Sequence, residues 1–292
     1  MHENKKSYSS KILGSSLSGI FEIGLFHPVD TIAKRLMYNK EIINGNNFNE
    51  KKEKINKIVF RENKDKNILK KYKSLYKGVN YALIYKILQR TYKYGGQSII
   101  NDKIKNNNDT KFKKIMKQSL SGALIGAGEV ILLPFDILKI KMQTNPQLLK
   151  NQTVANIIRK EGLNLYRGTS MTIMRNVPGS FALFGGNSFS KEYLFQLDNY
   201  SNASFYQNFI SSIVGATCSI TVSSPMDVIK TRIQADNNTY STRQIIIDLI
   251  RKEGIGSFFK GLGPKLLIVG PKLVFSFTFA QQLISYFDKK LK

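Results

Sequence analysis

Four bases, Lys86, Arg90, Arg175 and Lys272, lie inside stretches that are otherwise apolar or built from small residues. On a soluble helix they would be ordinary solvated charges. On a helix facing lipid, each exposed charge costs several kcal/mol. Bases so placed belong on a wet inner face. Guanidinium and ammonium donors gathered there suit a ligand carrying several phosphate charges. Asn176, beside Arg175, adds a neutral polar contact. Two carboxylates share these depths: Glu22, six residues before Pro28, and Glu129, five before Pro134. Each has two readings. One is a structural ion pair with Arg90 or Arg175. The other is recognition of a base with two adjacent N–H donors. Guanine has such a pair in N1–H and its 2-amino group; adenine does not.

A second set of charges recurs three times. Pro28-Val29-Asp30-Thr31-Ile32-Ala33-Lys34-Arg35, Pro134-Phe135-Asp136-Ile137-Leu138-Lys139 and Pro225-Met226-Asp227-Val228-Ile229-Lys230 each close an apolar, small-residue run. An acid follows each proline by two residues. A base follows by five in the second and third copies, where the first has Ala33. Proline inside a helix kinks it. Acids and bases just past a kink must find partners in a low dielectric. They either anchor single helix ends at an interface or pair between helices into a ring that closes one end of a cavity. Three copies in register favour the ring.

The elements that must position these groups are six long helices in three hairpins. The pattern predicts helices over 11–37, 79–100, 113–143, 168–195, 205–235 and 264–290. Gly14 with Ser18, Gly122 with Gly126, and Ser211 with Gly215 place small residues one turn apart. That spacing lets helices approach closely within a membrane. Short helices are expected near 50–61, 152–160 and 241–252. No run of twenty unbroken apolar residues occurs, yet the segments are long enough to span at about 1.5 Å per residue. The repeats are expected at 1–112, 113–204 and 205–292, forming one structural domain. An even number of spans puts both termini on one side. The motif-bearing loops are basic, with twelve Lys/Arg against five Asp/Glu in 38–77, which suits the matrix side.

The repeated motif continues with Glu161-Gly162 and Tyr166-Arg167-Gly168, and again with Glu253-Gly254 and Phe259-Lys260-Gly261. In the first copy only Tyr76-Lys77-Gly78 remains. Together these resemble the mitochondrial carrier family over nearly the whole chain. Phe26–Met37, Tyr85–Gln97, Leu132–Pro146, Arg175–Asn187 and Gly270–Gln281 narrow the resemblance to its fungal carriers of GTP and GDP. The resemblance implies an all-α membrane protein of six tilted spans around a central cavity, with short matrix helices. It also implies the mitochondrial inner membrane, with termini toward the intermembrane space. Lys86, Arg90, Arg175, Asn176, Lys272, Glu129 and Glu22 become the substrate contacts. Asp30, Lys34, Asp136, Lys139, Asp227 and Lys230 become a matrix gate, braced by Gln143 and Gln234 and kinked at Pro28, Pro134 and Pro225. The pairs implied are Asp30–Lys230 and Asp227–Lys139, while Asp136 is left to Lys34. At the opposite gate the family's charges are replaced by Tyr94-Gly95-Gly96-Gln97, Phe184-Gly185-Gly186-Asn187 and Ala280-Gln281. Hydrogen bonds and close backbone packing are expected there. Lys265, nearer an interface, is expected only to snorkel.

Composition narrows the alternatives. The chain has 292 residues and a formal charge of +25. Much of that charge sits in Lys- and Asn-rich loops, including the longer first loop with its Glu41–Lys54 insert. One cysteine, Cys218, and two histidines argue against a disulfide framework, a thiolate zinc site or a histidine metal site. No phosphate-cradling Gly-rich loop or nucleophile–base arrangement appears, so neither an enzyme nor a bound cofactor is expected. Met1–Ser10 shows no cleavable targeting pattern. A nucleic-acid partner is not expected, because the aromatics lie in apolar helices and are not interleaved with exposed bases. The expected partners are GTP and GDP as substrate, and the bilayer, with anionic lipid on the matrix side; the working form is a monomer. A carrier of adenine nucleotides or of another phosphorylated coenzyme is the alternative reading.

Overall fold

The computed structural model describes residues 2–38, 48–76, 79–104, 109–136, 162–166, 169–197, 199–235, 249–259 and 262–291, with a few single positions between them. Every regular element among them is helical. The long ones are α1 (His2–Tyr38), α4 (Val79–Arg90) continued by α5 (Gly96–Ile104), α6 (Lys111–Gly128), α7 (Thr169–Phe189), α8 (Phe205–Ala235) and α9 (Leu262–Leu291). Two short helices, α2 (Phe48–Phe60) and α3 (Ile68–Ser74), follow α1. The helix expected near 152–160 lies outside the described residues. Of that near 241–252, the described part ends in a π turn, Leu249–Glu253.

The long helices are inside out by soluble standards. On α1, Ser15, Ser18 and Glu22 are fully buried, while Phe21, Leu25 and Val29 are exposed. On α8, Asn208, Ser211 and Ser212 are buried, while Phe209, Ile213 and Val222 are exposed. Apolar surface turned outward around a polar interior is the arrangement that lipid permits and water does not. Among the described residues, four helical segments are long and apolar enough to cross a membrane: Tyr8–Ile32, Lys111–Asp136, Phe205–Ile229 and Lys265–Lys290. The second and fourth expected spans are more polar. One carries Lys86, Arg90 and Lys93, and the other is rich in Ser, Asn and Gly.

Contacts divide the chain into two compact units. The first comprises Met1–Gly19, Leu88–Ile131 and Gly168–Lys292. Its helices meet neighbour to neighbour in chain order. Gln97 on α5 donates to Gln118 and, at 3.1 Å, to Ser121 on α6. Gly122 and Gly126 bring α6 against Phe184 and the Asn176 carbonyl on α7. Gly186 on α7 faces Gly215 on α8. Asn208 on α8 donates to Gln282 on α9 at 3.0 Å. The last helix then meets the first: Ser18 donates to the Ser276 carbonyl at 2.7 Å, and Ser10 to Asp288 at 2.8 Å. Ser16 bonds Thr91 at 2.7 Å, which closes the circuit. Hydroxyl and backbone contacts carry these seams because apolar packing alone gives little drive within lipid.

The second unit comprises Ile20–Ile87 and Leu132–Arg167. Here Arg35, near the end of α1, donates to the carbonyls of Val59 on α2 and Ser74 on α3. Tyr76 donates to the Gly24 carbonyl at 3.0 Å. α2 begins two residues before the expected surface helix and buries Val59.

The close seams make an opposed pair of glycine tests. A methyl group at Gly126 would lie 2.5 Å from the Asn176 carbonyl oxygen, whereas one at Gly24 would meet nothing within 4 Å. Gly126→Ala should lower stability by about 1–3 kcal/mol through overpacking against rigid backbone. Gly24→Ala should raise it by up to about 1 kcal/mol through helix propensity. Thermal unfolding of the purified protein in detergent reads both.

Candidate functional site

Helix irregularities place the functional side chains. α4 passes into α5 through a π turn, Thr91–Gly95, which carries Tyr92, Lys93 and Tyr94. α6 tightens into a 3-10 turn, Glu129–Leu132, just before Pro134. α7 ends in a second π turn, Ser190–Leu194, holding Lys191 and Glu192. π turns add a residue to the helical cycle and are frequent at functional sites.

In the first unit these turns build a chain of charges across five helical elements. Lys93 lies 3.0 Å from a Glu129 oxygen, and the other Glu129 oxygen accepts from Asn176 at 2.8 Å. Arg175 donates to the Asn176 side-chain carbonyl at 3.3 Å and to Asp227 at 2.8 Å. The second oxygen of Asp227 accepts from Lys265. Glu129 is buried, whereas the Arg175 side chain is 47 % exposed. The network thus has a buried carboxylate end and an open cationic end. Lys93 faces Glu129 without hydrogen-bond alignment, so that pair is held by charge alone.

Arg90 is buried and donates to the Tyr94 hydroxyl at 3.1 Å, with its guanidinium 5.1 Å from the ring centre. Tyr94 in turn stacks on Phe277 at 5.0 Å and meets Phe184 edge-on at 6.4 Å. Phe184 and Phe277 meet edge-on at 5.3 Å. These three rings form a dry layer inside the first unit. Lys272 lies half-buried on α9.

In the second unit, buried Glu22 on α1 has Lys86 of α4 as its ion-pair partner at 3.0 Å. The structural-pair reading of Glu22 had looked to Arg90 or Arg175. Lys86 takes that place because it lies across from Glu22 in the same unit. Glu129 likewise has Lys93 and Asn176, and Lys93 was absent from the sequence candidates. Its signal was available: Lys86, Arg90 and Lys93 recur at helical spacing of four and three.

Other expectations change too. Lys265 does not merely snorkel; it shares Asp227 with Arg175. Arg175 therefore meets a carboxylate before any ligand. On α9 the counterpart of Tyr94 and Phe184 is Phe277, not Ala280-Gln281. Each of the three rings lies sixteen residues past its glycine, at Gly78, Gly168 and Gly261. Lys139 and Gln143 lie outside the described residues, as do the side chains of Lys34, Lys230 and Gln234. Asp30 lies on α1 beyond Pro28, and Asp136 two residues past Pro134, with no partner for Asp136 among the described residues. Pro28 and Pro225 lie within unbroken α1 and α8. No group of His, Cys, Asp and Glu suited to a metal occurs among the described residues.

Removing the Glu22 charge takes from the buried Lys86 ammonium an ion-pair partner at 3.0 Å. Glu22→Gln should therefore destabilise the protein by about 3–5 kcal/mol. The double variant Glu22→Met with Lys86→Met should recover most of that loss. Melting temperatures in detergent would show it; a double variant as unstable as the single would mean the carboxylate serves something other than Lys86.

The sequence matches the family described as mitochondrial carrier protein over residues 111–198 and 201–291. An uncharacterized mitochondrial carrier of Schizosaccharomyces pombe is 49 % identical over 300 residues, covering 99 % of this chain and 98 % of that one. The mitochondrial GTP/GDP carrier protein 1 of Saccharomyces cerevisiae is also 49 % identical, with the same coverage. A probable mitochondrial 2-oxoglutarate/malate carrier protein of Dictyostelium discoideum is 26 % identical over 91 % of this chain and 86 % of its own length.

Proposed function

Because the chain belongs to the mitochondrial carrier family, we propose that it exchanges GTP for GDP across the mitochondrial inner membrane by alternating access. The observation that carries this reading is the 49 % identity, end to end, with a protein named as a GTP/GDP carrier. The chain is an all-α membrane protein, and transport requires no bond to be made or broken by it.

In this reading the charge network is the substrate site. The open cationic end, Arg175 with Lys265 nearby, takes phosphate, and Arg90 and Lys272 add to it; in the second unit Lys86 offers a further phosphate contact. The buried end takes the base. Asn176 offers an amide N–H to Glu129 at 2.8 Å. Guanine can replace that amide with its N1–H and 2-amino donors, while adenine would leave the carboxylate unsatisfied. Phosphate drawing on Arg90 would also loosen its hold on Tyr94, linking occupancy of the site to the aromatic layer. Asp30, Lys34, Asp136, Lys139, Asp227 and Lys230, with Gln143 and Gln234, close the matrix end when the aromatic layer opens. Three repeats, 1–112, 113–204 and 205–292, supply these parts in turn. The termini face the intermembrane space, anionic lipid borders the basic matrix loops, and the monomer is the working unit.

Purified protein in liposomes, loaded with GTP and offered labelled GTP, GDP, ATP or ADP, tests the reading. Guanine nucleotides should exchange and adenine nucleotides should not. Equal uptake of both would remove the base-recognition role of Glu129, and exchange of neither would overturn the nucleotide assignment. Within that assay Arg175→Gln should slow exchange roughly ten- to hundredfold, the value of a charge-assisted hydrogen bond. Glu129→Gln should lower the preference for guanine over adenine about tenfold or more.

A further inference from the structure

The first unit contains a cleft that the network above does not use. Its floor is the aromatic layer of Tyr94, Phe184 and Phe277, and its walls include Lys114, Lys191, Asn187 and Gln281. It lies at the end of the unit where Ser10 of α1 meets Asp288 of α9.

The charges around this cleft are paired with one exception. Lys11 holds Asp102, Lys117 holds Asp109 at 2.6 Å, and Lys114 lies 3.6 Å from Glu192. Glu192 also accepts from the Tyr200 hydroxyl at 2.9 Å. Burial pushes the Tyr200 phenol well above its usual range, so it stays a neutral donor. Lys191 is 3 % exposed and has no carboxylate partner among the described residues. It packs against the Tyr200 ring at 5.3 Å and donates to the Gln281 side-chain oxygen at 2.6 Å. That bond fixes the Gln281 amide, since the flipped form would set two donors against each other. The Gln281 amide nitrogen is then buried without an acceptor. So is that of Asn187, one turn before Lys191 on the same helical run.

One ammonium and two amide donors therefore line one cleft with too few acceptors. Water can accept from the amides, but burial disfavours the ammonium form of Lys191 unless an anion joins it. A small oxyanion does both.

We propose that this cleft is a second anion site, in which Lys191, Asn187 and Gln281 hold a phosphoryl group on the far side of the aromatic layer from Arg90. The group would be the phosphate end of a nucleotide waiting to pass the layer; this identity rests on the exchange reading above. The site's charge does not. Gln281→Glu is the telling variant, because it places a carboxylate against Lys191 and supplies the anion from within the protein.

The experiment is thermal unfolding of the full-length protein in detergent, with inorganic pyrophosphate as probe at constant ionic strength. Wild type should rise by about 3 °C or more at saturating pyrophosphate. Gln281→Glu should melt higher than wild type without the probe and lose at least half of the response to it. Asn187→Leu, which deletes one donor and leaves Lys191 in place, should weaken pyrophosphate binding about tenfold. Lys57→Gln, at an exposed lysine of α2 outside both sites, should keep the full response. A full response in Gln281→Glu and Asn187→Leu would overturn the proposal, as would no response in wild type. The liposome assay separates the two readings. A Gln281-dependent response without any nucleotide exchange leaves the anion site standing and removes the nucleotide as its ligand.

Discussion

A carboxylate buried among helices cannot be left alone, and Glu129 is the one on which the first unit depends. It lies where α6 tightens into a 3-10 turn. Four neighbouring elements come to it or to its partners: the π turn with Lys93, α7 with Asn176 and Arg175, and through Arg175 the Asp227 of α8 and Lys265 of α9. Each link exists because the preceding charge needs it. The polarity of this chain, from buried acid to exposed base, fits a ligand with a donor edge at one end and phosphate at the other.

The seams between helices serve the same requirement. Hydroxyls and glycines hold the helices where apolar side chains would hold a soluble bundle. Those side chains are turned outward, as Phe21, Leu25 and Val29 show on α1. A polar interior within an apolar surface is tolerable only if nearly every interior group is satisfied. The amide nitrogens of Asn187 and Gln281 are among the buried groups without a hydrogen-bond partner, and these two share one cleft with Lys191.

Much of this was legible in the sequence. The bounds of α8 agree with those expected, and those of α7 with its π turn, α9 and α2 differ by only one or two residues, because small-residue spacing and proline position mark them. The candidate carboxylates and bases were found from depth alone, since ionisable groups in apolar helices are rare. Their partners were not. Glu22 takes Lys86, and Glu129 takes Lys93, because pairing depends on how helices face each other and not on spacing along one helix. Lys93 sits in a π turn, for which the sequence carries no signature. Phe277 was masked by Phe275 and Phe279 on either side, which made the register on α9 ambiguous.

The π turn between α4 and α5 has a consequence for how variation in this chain should be read. An α-helix advances about 100° per residue, so one extra residue in a turn rotates everything beyond it by that amount. Past Gly95 the usual rule that residues three or four apart share a face resumes along α5 with a new origin. A single-residue deletion in Thr91–Gly95 would leave α5 helical, yet swing Gln97 away from Gln118 and Ser121. The phase of a helix, and not only its composition, is thus an inherited property of this protein, and a length change of one residue at Thr91–Gly95 counts as a change of facing.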